Sequence, residues 1–335
     1  MNEKNQLVNK VCNLCGSESY SRYYEQKDHR FEKTPRDTFR MVKCGECGLI
    51  YLNPAPTKTY MKYFYPDTFY DFRAFPVPSR RKSIRDFLEI ASPINLRSKL
   101  ALKEKTDLVK RLHKHPGKLL DVGAAEGNFL LAMKKNGWDV LGVEISKSMA
   151  DFASEKYGIT YINDDLNNLS IRDFKTKDFD IITMWRSFVH MYDPKAALQL
   201  CNQILKPNGK IIIMSTNSDS VEEKLFRRTD PNLIDVPRHL YHVNPDIVKK
   251  YFEVTGFKFI KTFYFSLNIT SRLTIITNSK LSRMRKKYWF DKLIWLSAAN
   301  LSLLAGILFS LLLSIFKRSY VFTIIGMKQD TDLES

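Results

Sequence analysis

Lys118–Leu130 reads KLLDVGAAEGNFL: an apolar run ending in an acid, a glycine-containing turn, then the start of an amphipathic segment. No other stretch limits the fold as tightly, because strand, tight turn and helix in immediate succession open a βαβ nucleotide-binding unit. A second strand is expected at Trp138–Val143, ending in Glu144. A carboxylate placed there can accept both hydroxyls of a ribose diol, so a nicotinamide dinucleotide and S-adenosylmethionine both remain open. The charge of Asp121 separates them. Beside this turn it would repel a pyrophosphate and attract a cationic ammonium and sulfonium. Asp121-x-Gly123-x-Ala125-x-Gly127 therefore favours S-adenosylmethionine.

The same residues resemble the first motif of the class I S-adenosylmethionine-dependent methyltransferases, Asp/Glu-x-Gly-x-Gly-x-Gly, with Ala125 in place of the middle glycine. The resemblance implies an α/β, doubly wound (Rossmann-like) seven-stranded sheet. It assigns Asp121, Gly123, Ala125, Gly127, Glu144, Ile145, Asp165 and Trp185 to the cofactor, with Asp165 accepting from the adenine amino group. The rest of the pattern agrees with that sheet. A helix is expected at Ser146–Tyr157 before Gly158, a third strand at Ile159–Ile162, a fourth at Phe179–Trp185 and a helix at Pro194–Leu205. Lys206-Pro-Asn-Gly209 turns into a fifth strand, Lys210–Ser215; a sixth is expected at Phe257–Phe265 and an antiparallel last strand at Tyr320–Met327.

Upstream lie two Cys-x-x-Cys pairs, Cys12/Cys15 and Cys44/Cys47, each followed by glycine and separated by 28 residues. The opening residues contain no apolar run, so secretion is not expected and the thiols are read as reduced. Two such knuckles supply the four thiolates of a closed, structural zinc site; paired redox dithiols are the alternative. Cys201, in a helical run, reads as core. The segment Cys44-x-x-Cys47-Gly-Leu-Ile-Tyr-Leu-Asn-Pro54 resembles the N-terminal zinc module fused to some bacterial methyltransferases acting on sugars and cell-envelope metabolites. The aromatics from Tyr60 to Phe75 either line a substrate cleft or pack the small zinc ribbon onto the next domain.

Chemistry is expected at two places. Trp185–Pro194 carries His190 at the carboxyl end of the fourth strand, where such folds place substrates. Asp235–Pro245 carries His239 and His242 and resembles the Arg-His-Leu-Tyr-His-Phe-Ser-Pro segment of the zinc-module group. Ubiquinone-biosynthesis O-methyltransferases often hold His-x-x-x-His or Glu-His at the first place, where this chain has Arg186, Val189 and His190. Methyl transfer to a hydroxyl needs a held nucleophile and a proton acceptor, a role histidine suits near neutral pH.

The net charge of +17 is concentrated: residues 80–118 hold twelve Lys/Arg against four Asp/Glu, and residues 272–318 nine against one. The second cluster surrounds Leu293–Phe316, an uncharged stretch long enough to enter a bilayer. Because a strand must follow it back into the sheet, a hydrophobic helical insert seated in one leaflet is expected, with an anionic membrane surface as partner. The chain then divides into a zinc module (1–78), a cofactor-binding domain (79–265), the insert (266–318) and the last strand and tail (319–335). The expected activity is methylation of a hydroxyl, or a carbon, of a lipid-linked, sugar or other envelope-related small molecule, on the cytoplasmic face of the membrane. Basic charge beside a zinc module also suits an RNA methyltransferase, which ranks second because RNA has little use for the apolar insert. A non-enzymatic S-adenosylmethionine-binding scaffold ranks third.

Overall fold

The structure is a computed structural model that describes residues 6–28, 38–65, 93–175, 177–226, 235–264, 308 and 311–329. The aromatics beyond Tyr65, the first part of the basic segment 80–118 and most of the apolar insert lie outside the described residues.

In chain order, the N-terminal part holds β1 (Leu7–Val8), β2 (Tyr20–Lys27), β3 (Thr38–Cys44), β4 (Ile50–Leu52), β5 (Ala55–Pro56) and the short helix α1 (Lys58–Met61). The long helix α2 (Pro93–Leu112) leads into β6 (Lys118–Val122), α3 (Asn128–Lys135), β7 (Asp139–Val143), α4 (Lys147–Tyr157) and β8 (Thr160–Ile162). There follow β9 (Phe179–Trp185), α5 (Pro194–Ile204), β10 (Leu205–Thr216), α6 (Val221–Phe226), β11 (Tyr241–His242), α7 (Pro245–Val254), β12 (Phe257–Phe263) and β13 (Val321–Lys328).

Seven strands form one sheet in the order β12-β13-β10-β9-β6-β7-β8. Neighbours from β8 to β10 are parallel, and β13 lies antiparallel between β10 and β12. The order reverses beside β6, so the crevice at the carboxyl ends of β6 and β9 is the topological switch point where ligands sit in such sheets. The central strands are apolar on both faces, as helices on both sides require: Ile211, Ile212 and Ile213 are all fully buried. Local chemistry starts and stops the helices. Asp193 and Asn244 accept N–H bonds from Ala196 and Ile247, with proline in each first turn, and Gly158 closes α4 at φ 61°. Asn208 takes the left-handed turn before the long run of β10, at φ 59°.

The sheet beside the cysteine pairs has four strands in the order β11-β4-β3-β2, and β11 comes from the segment holding His239 and His242. Tyr241 pairs with Tyr51 and His242 with Ile50, so strand pairing crosses the boundary expected near residue 78. Tyr60 and Phe64 are buried edge-to-face against each other, and Phe64 meets Phe39 in the same way. For these two aromatics the packing alternative holds. Cys201 is fully buried in the core.

Candidate functional site

The glycine turn after β6 is braced by a single carboxylate. Glu144 accepts from the Ala125 N–H (2.8 Å) through one oxygen and from the Ser146 N–H (2.9 Å) through the other. Gly123 and Ala124 donate to the Val143 carbonyl (2.8 and 3.2 Å), fastening the turn to β7. Gly123, at φ 76°, has no room for a side chain: a Cβ there would lie 2.6 Å from that of Ser187. Ala125, the departure from the motif, is also left-handed, at φ 48°. Tyr161 supports it by donating from its hydroxyl to the Ala125 carbonyl (3.2 Å).

Asp121 is buried at the end of β6 and accepts from the Thr183 hydroxyl at 2.7 Å. Burial pushes its pKa up to about 7, against the pull of Thr183 and of the Lys105 ammonium. Lys105 reaches over from α2, its ammonium 5.0 Å above the Trp185 ring, and burial holds its pKa down to about 8. Neither Thr183 nor Lys105 stood out in the sequence; Thr183 is one apolar-strand residue among seven, and Lys105 one of many cations on α2.

These features fit S-adenosylmethionine. Each Glu144 oxygen keeps a second lone pair for a ribose hydroxyl, and burial pushes the Glu144 pKa upward while the amides pull it back. Ile145, next in the chain, is 65% exposed where an adenine ring would need an apolar face. The indole N–H of Trp185 is buried without a hydrogen-bond partner. Asp165 is more committed than the sequence suggests: one oxygen caps a short turn by accepting from the Asn167 N–H (3.0 Å), and the other meets Lys58 of the zinc module at 3.1 Å.

The three histidines come together. The His190 and His239 rings are 4.8 Å apart edge-to-face, and His239 and His242 are 5.9 Å apart. His190 Nδ1 is 2.9 Å from the Arg238 carbonyl and 3.2 Å from the Tyr65 hydroxyl. A carbonyl only accepts, so this nitrogen carries the proton and Nε2 keeps the lone pair. Burial holds His190 down to about 4 and His239 well below the usual imidazole range, so both are neutral at physiological pH. His239 Nδ1 is buried without a hydrogen-bond partner. His242 Nδ1 faces buried Glu223 at 3.7 Å.

What holds this corner in place is Arg238, fully buried. It donates to both oxygens of Asp28 (2.9 and 2.8 Å), to Asp235 (2.8 Å) and to the Phe64 carbonyl (3.0 Å). Leu240 donates to the Val189 carbonyl (2.9 Å), next to His190, and accepts from the Leu52 N–H (2.9 Å) of β4. The histidines are thus pinned between the methyltransferase-like sheet and the cysteine module.

The four cysteine sulfurs all lie within 4.8 Å of one another. Cys12 and Cys47 Sγ are 3.4 Å apart, and Cys15 and Cys44 Sγ 3.6 Å. Zinc with four bonds of about 2.3 Å separates tetrahedral thiolates by about 3.8 Å, so the set fits that ion. Gly16 and Gly48, at φ 78° and 80°, turn each knuckle so that their N–H groups donate to the Cys12 and Cys44 carbonyls. Burial pushes the Cys12 and Cys47 thiols up, whereas at Cys44 burial is outweighed by the Cys47 and Glu46 amides, which bring the thiol down to about 7. Asn13, inside the first knuckle, donates to Asp193 (2.9 Å) and accepts from the Lys195 N–H (3.2 Å) and the Tyr251 hydroxyl (3.0 Å).

A family model described as "Methyltransferase domain" matches residues 95–262. A ubiquinone biosynthesis O-methyltransferase of Coxiella burnetii is 32% identical over 133 residues, 37% of this chain and 53% of that protein. Its counterpart in Methylococcus capsulatus is 27% identical over 103 residues, 30% of this chain and 44% of the relative. The chain thus spans about half the length of the curated relatives it matches. Among solved structures, an S-adenosylmethionine-dependent methyltransferase from Archaeoglobus fulgidus superposes with a TM-score of 0.47 at 21% identity, covering 73% of this chain and all of that one. Magnesium protoporphyrin IX methyltransferase from Synechocystis gives 0.48 at 11% identity, covering 82% of this chain and all of the other.

Proposed function

The chain belongs to the methyltransferase-domain family, and we propose that it transfers a methyl group from S-adenosylmethionine to a hydroxyl of a small-molecule acceptor. The observation that carries this reading is the meeting of two edges at the end of β9. Asp121 and Trp185 stand on the cofactor side, while His190, four residues past Arg186, opens the histidine corner. The cofactor supplies an electrophilic methyl group. Glu144 would take the ribose hydroxyls, Asp121 the cationic methionine end and Ile145 the adenine face. Asp165 has lone pairs left for the adenine amino group, beside its bonds to Lys58 and Asn167. His190, with its proton held on Nδ1 by the Arg238 carbonyl, presents Nε2 to the acceptor hydroxyl; His239 and His242 pack it in position.

Calorimetry with S-adenosylhomocysteine tests the cofactor half. Wild type should bind, and Glu144→Ala should lose about 10- to 100-fold, the worth of about 1.5–3 kcal/mol for hydrogen bonds to a charged group. Absence of heat with wild type would overturn the assignment. His190→Ala should cut turnover on the true acceptor while leaving that affinity unchanged; equal turnover removes it as the base.

The likeness to ubiquinone biosynthesis O-methyltransferases supports an oxygen nucleophile on a small molecule over RNA. Zinc held by Cys12, Cys15, Cys44 and Cys47 is part of the same reading, as a structural ion with no open position. A membrane-seated acceptor is favoured by one further observation. Leu308, Leu311, Leu312, Ile315 and Phe316 are exposed, followed directly by Lys317 and Arg318, as a helix lying on an anionic bilayer requires. No helix among the described residues is long and apolar enough to cross a membrane. The protein should sediment with phosphatidylglycerol vesicles; loss of that binding in neither high salt nor an Ile315→Glu/Phe316→Glu variant would discard the surface.

A further inference from the structure

Arg186 stands in the left-handed region at φ 69°, at the first position beyond β9. Its N–H donates to the Met184 (3.1 Å) and Met214 (2.9 Å) carbonyls, so the turn is locked between β9 and β10. Glycine adopts this conformation freely, whereas an arginine there costs backbone strain. Strain kept at the carboxyl end of a central strand points to a side chain needed at that spot.

The guanidinium is exposed, and no described residue forms a hydrogen bond or ion pair with it. Its charge reaches three groups at once, pressing downward on the pKa of Lys105, His190 and His239. It follows Trp185 directly at the end of β9 and precedes the short turn Phe188–His190, so it lies between the cofactor edge and the histidine corner, where the proposed reaction places the hydroxyl. The other arginine of this corner, Arg238, is satisfied by Asp28 and Asp235, so the local acids do not answer for Arg186.

We propose that Arg186 anchors an oxyanion, a carboxylate or a phosphate, carried by the acceptor close to the hydroxyl that is methylated. The inference rests on the methyltransferase reading and narrows its acceptor to an anionic compound. A planar fork of donors suits both oxyanions, and Lys105, over the neighbouring Trp185 ring, adds positive charge to the region. The anchored anion would act on the base as well. His190 is faced by Asp235, Arg238, His239, Tyr65 and Arg186; an anion on Arg186 cancels one of the cations that weaken it, so the acceptor helps raise the basicity of Nε2.

The test uses the full chain saturated with S-adenosylhomocysteine and small probes read by calorimetry: phenyl phosphate, benzoate and the neutral benzyl alcohol. Wild type should bind one or both anions at least tenfold more tightly than the alcohol, and the ratio of the two shows whether phosphate or carboxylate is preferred. Arg186→Ala should lose at least tenfold for the anions, with affinity for S-adenosylhomocysteine within twofold of wild type. Arg186→Gly should lose the anions equally yet melt at a higher temperature, because the strained turn is relieved, and this guards against a variant that merely fails to fold. Equal anion affinity in wild type and both variants, or no preference for anions in wild type, overturns the proposal. Wild type that binds no S-adenosylhomocysteine overturns the methyltransferase reading itself, and this inference with it.

Discussion

Between Lys118 and Asp165 most of the cofactor edge lies on one stretch of chain, with Lys105 and Thr183–Trp185 added from outside it, whereas the histidine corner draws Arg238 and Asp28 together across 210 positions. The turn of the first is held from within that stretch: Glu144 braces Ala125, 19 positions away, and Ser146, two positions away, while Thr183 and Lys58 reach Asp121 and Asp165 from further off. The second has Asp235 as its local brace, which takes the Arg238 guanidinium and the His239 N–H. His239 and His242 lie on a segment that joins the four-stranded sheet rather than the seven-stranded one, and His190 rests on the Arg238 carbonyl. On the proposed reading, the cofactor turn is braced mostly from within its own stretch, while the aim of the base depends on a separate module. Damage to the module should therefore disable chemistry while sparing cofactor binding.

Removing the metal presses hardest on that contrast. Stripping zinc with a strong chelator should melt the cysteine knuckles, since thiolate binding of zinc is worth about 10–16 kcal/mol in small folded modules. Elemental analysis should find one zinc per chain before treatment. Afterwards turnover should be lost and S-adenosylhomocysteine affinity kept; loss of both together would show that the two regions are not separable.

A smaller blow at the joint should give the same split. Asp28→Ala takes the bidentate partner from the buried Arg238 and leaves Asp235 as its remaining acid, at a cost of up to about 3–5 kcal/mol. Denaturant unfolding should register that loss, with turnover falling and cofactor affinity unchanged in the protein still folded. An Asp28→Ala protein as stable and active as wild type would mean the ion pair does not position the histidines.

The smallest effect is expected on the cofactor side, and with opposite sign. Ala125→Gly should relieve the left-handed strain and stabilise the chain by about 1 kcal/mol or less, the gain being offset by glycine's freedom when unfolded. Cofactor affinity should hold or rise slightly. A clear loss in either would show that the Ala125 methyl group is itself a contact.

The same contrast explains what could be seen in the sequence. The strands from Lys118 to Val143, the Asn208 turn and the cysteine knuckles follow from patterns a few residues long, and all appear where expected. The strand pairing of Tyr241 with Tyr51 has no such signature, because two residues of strand carry no readable period. Asp28 carries no sequence signal, and nothing local to Arg238 marks it as buried. Asn13 was visible only as a spacer between ligands, although it ties the knuckle to α5 and α7. Lys58 meets Asp165 for the same reason of long separation, so a residue expected to serve adenine also serves the joint.

β13 is fully buried along its first six residues and is the partner that links β12 to the rest of the sheet. During synthesis β12 therefore emerges with nothing to pair with, and waits while residues 264–320 follow. At the usual ribosomal pace that delay lasts on the order of several seconds. Throughout it β10 presents an open edge of three consecutive isoleucines, and the basic, apolar stretch leaves the ribosome before the strand that will close the sheet. A chain built in this order must keep that edge covered before its sheet can be completed.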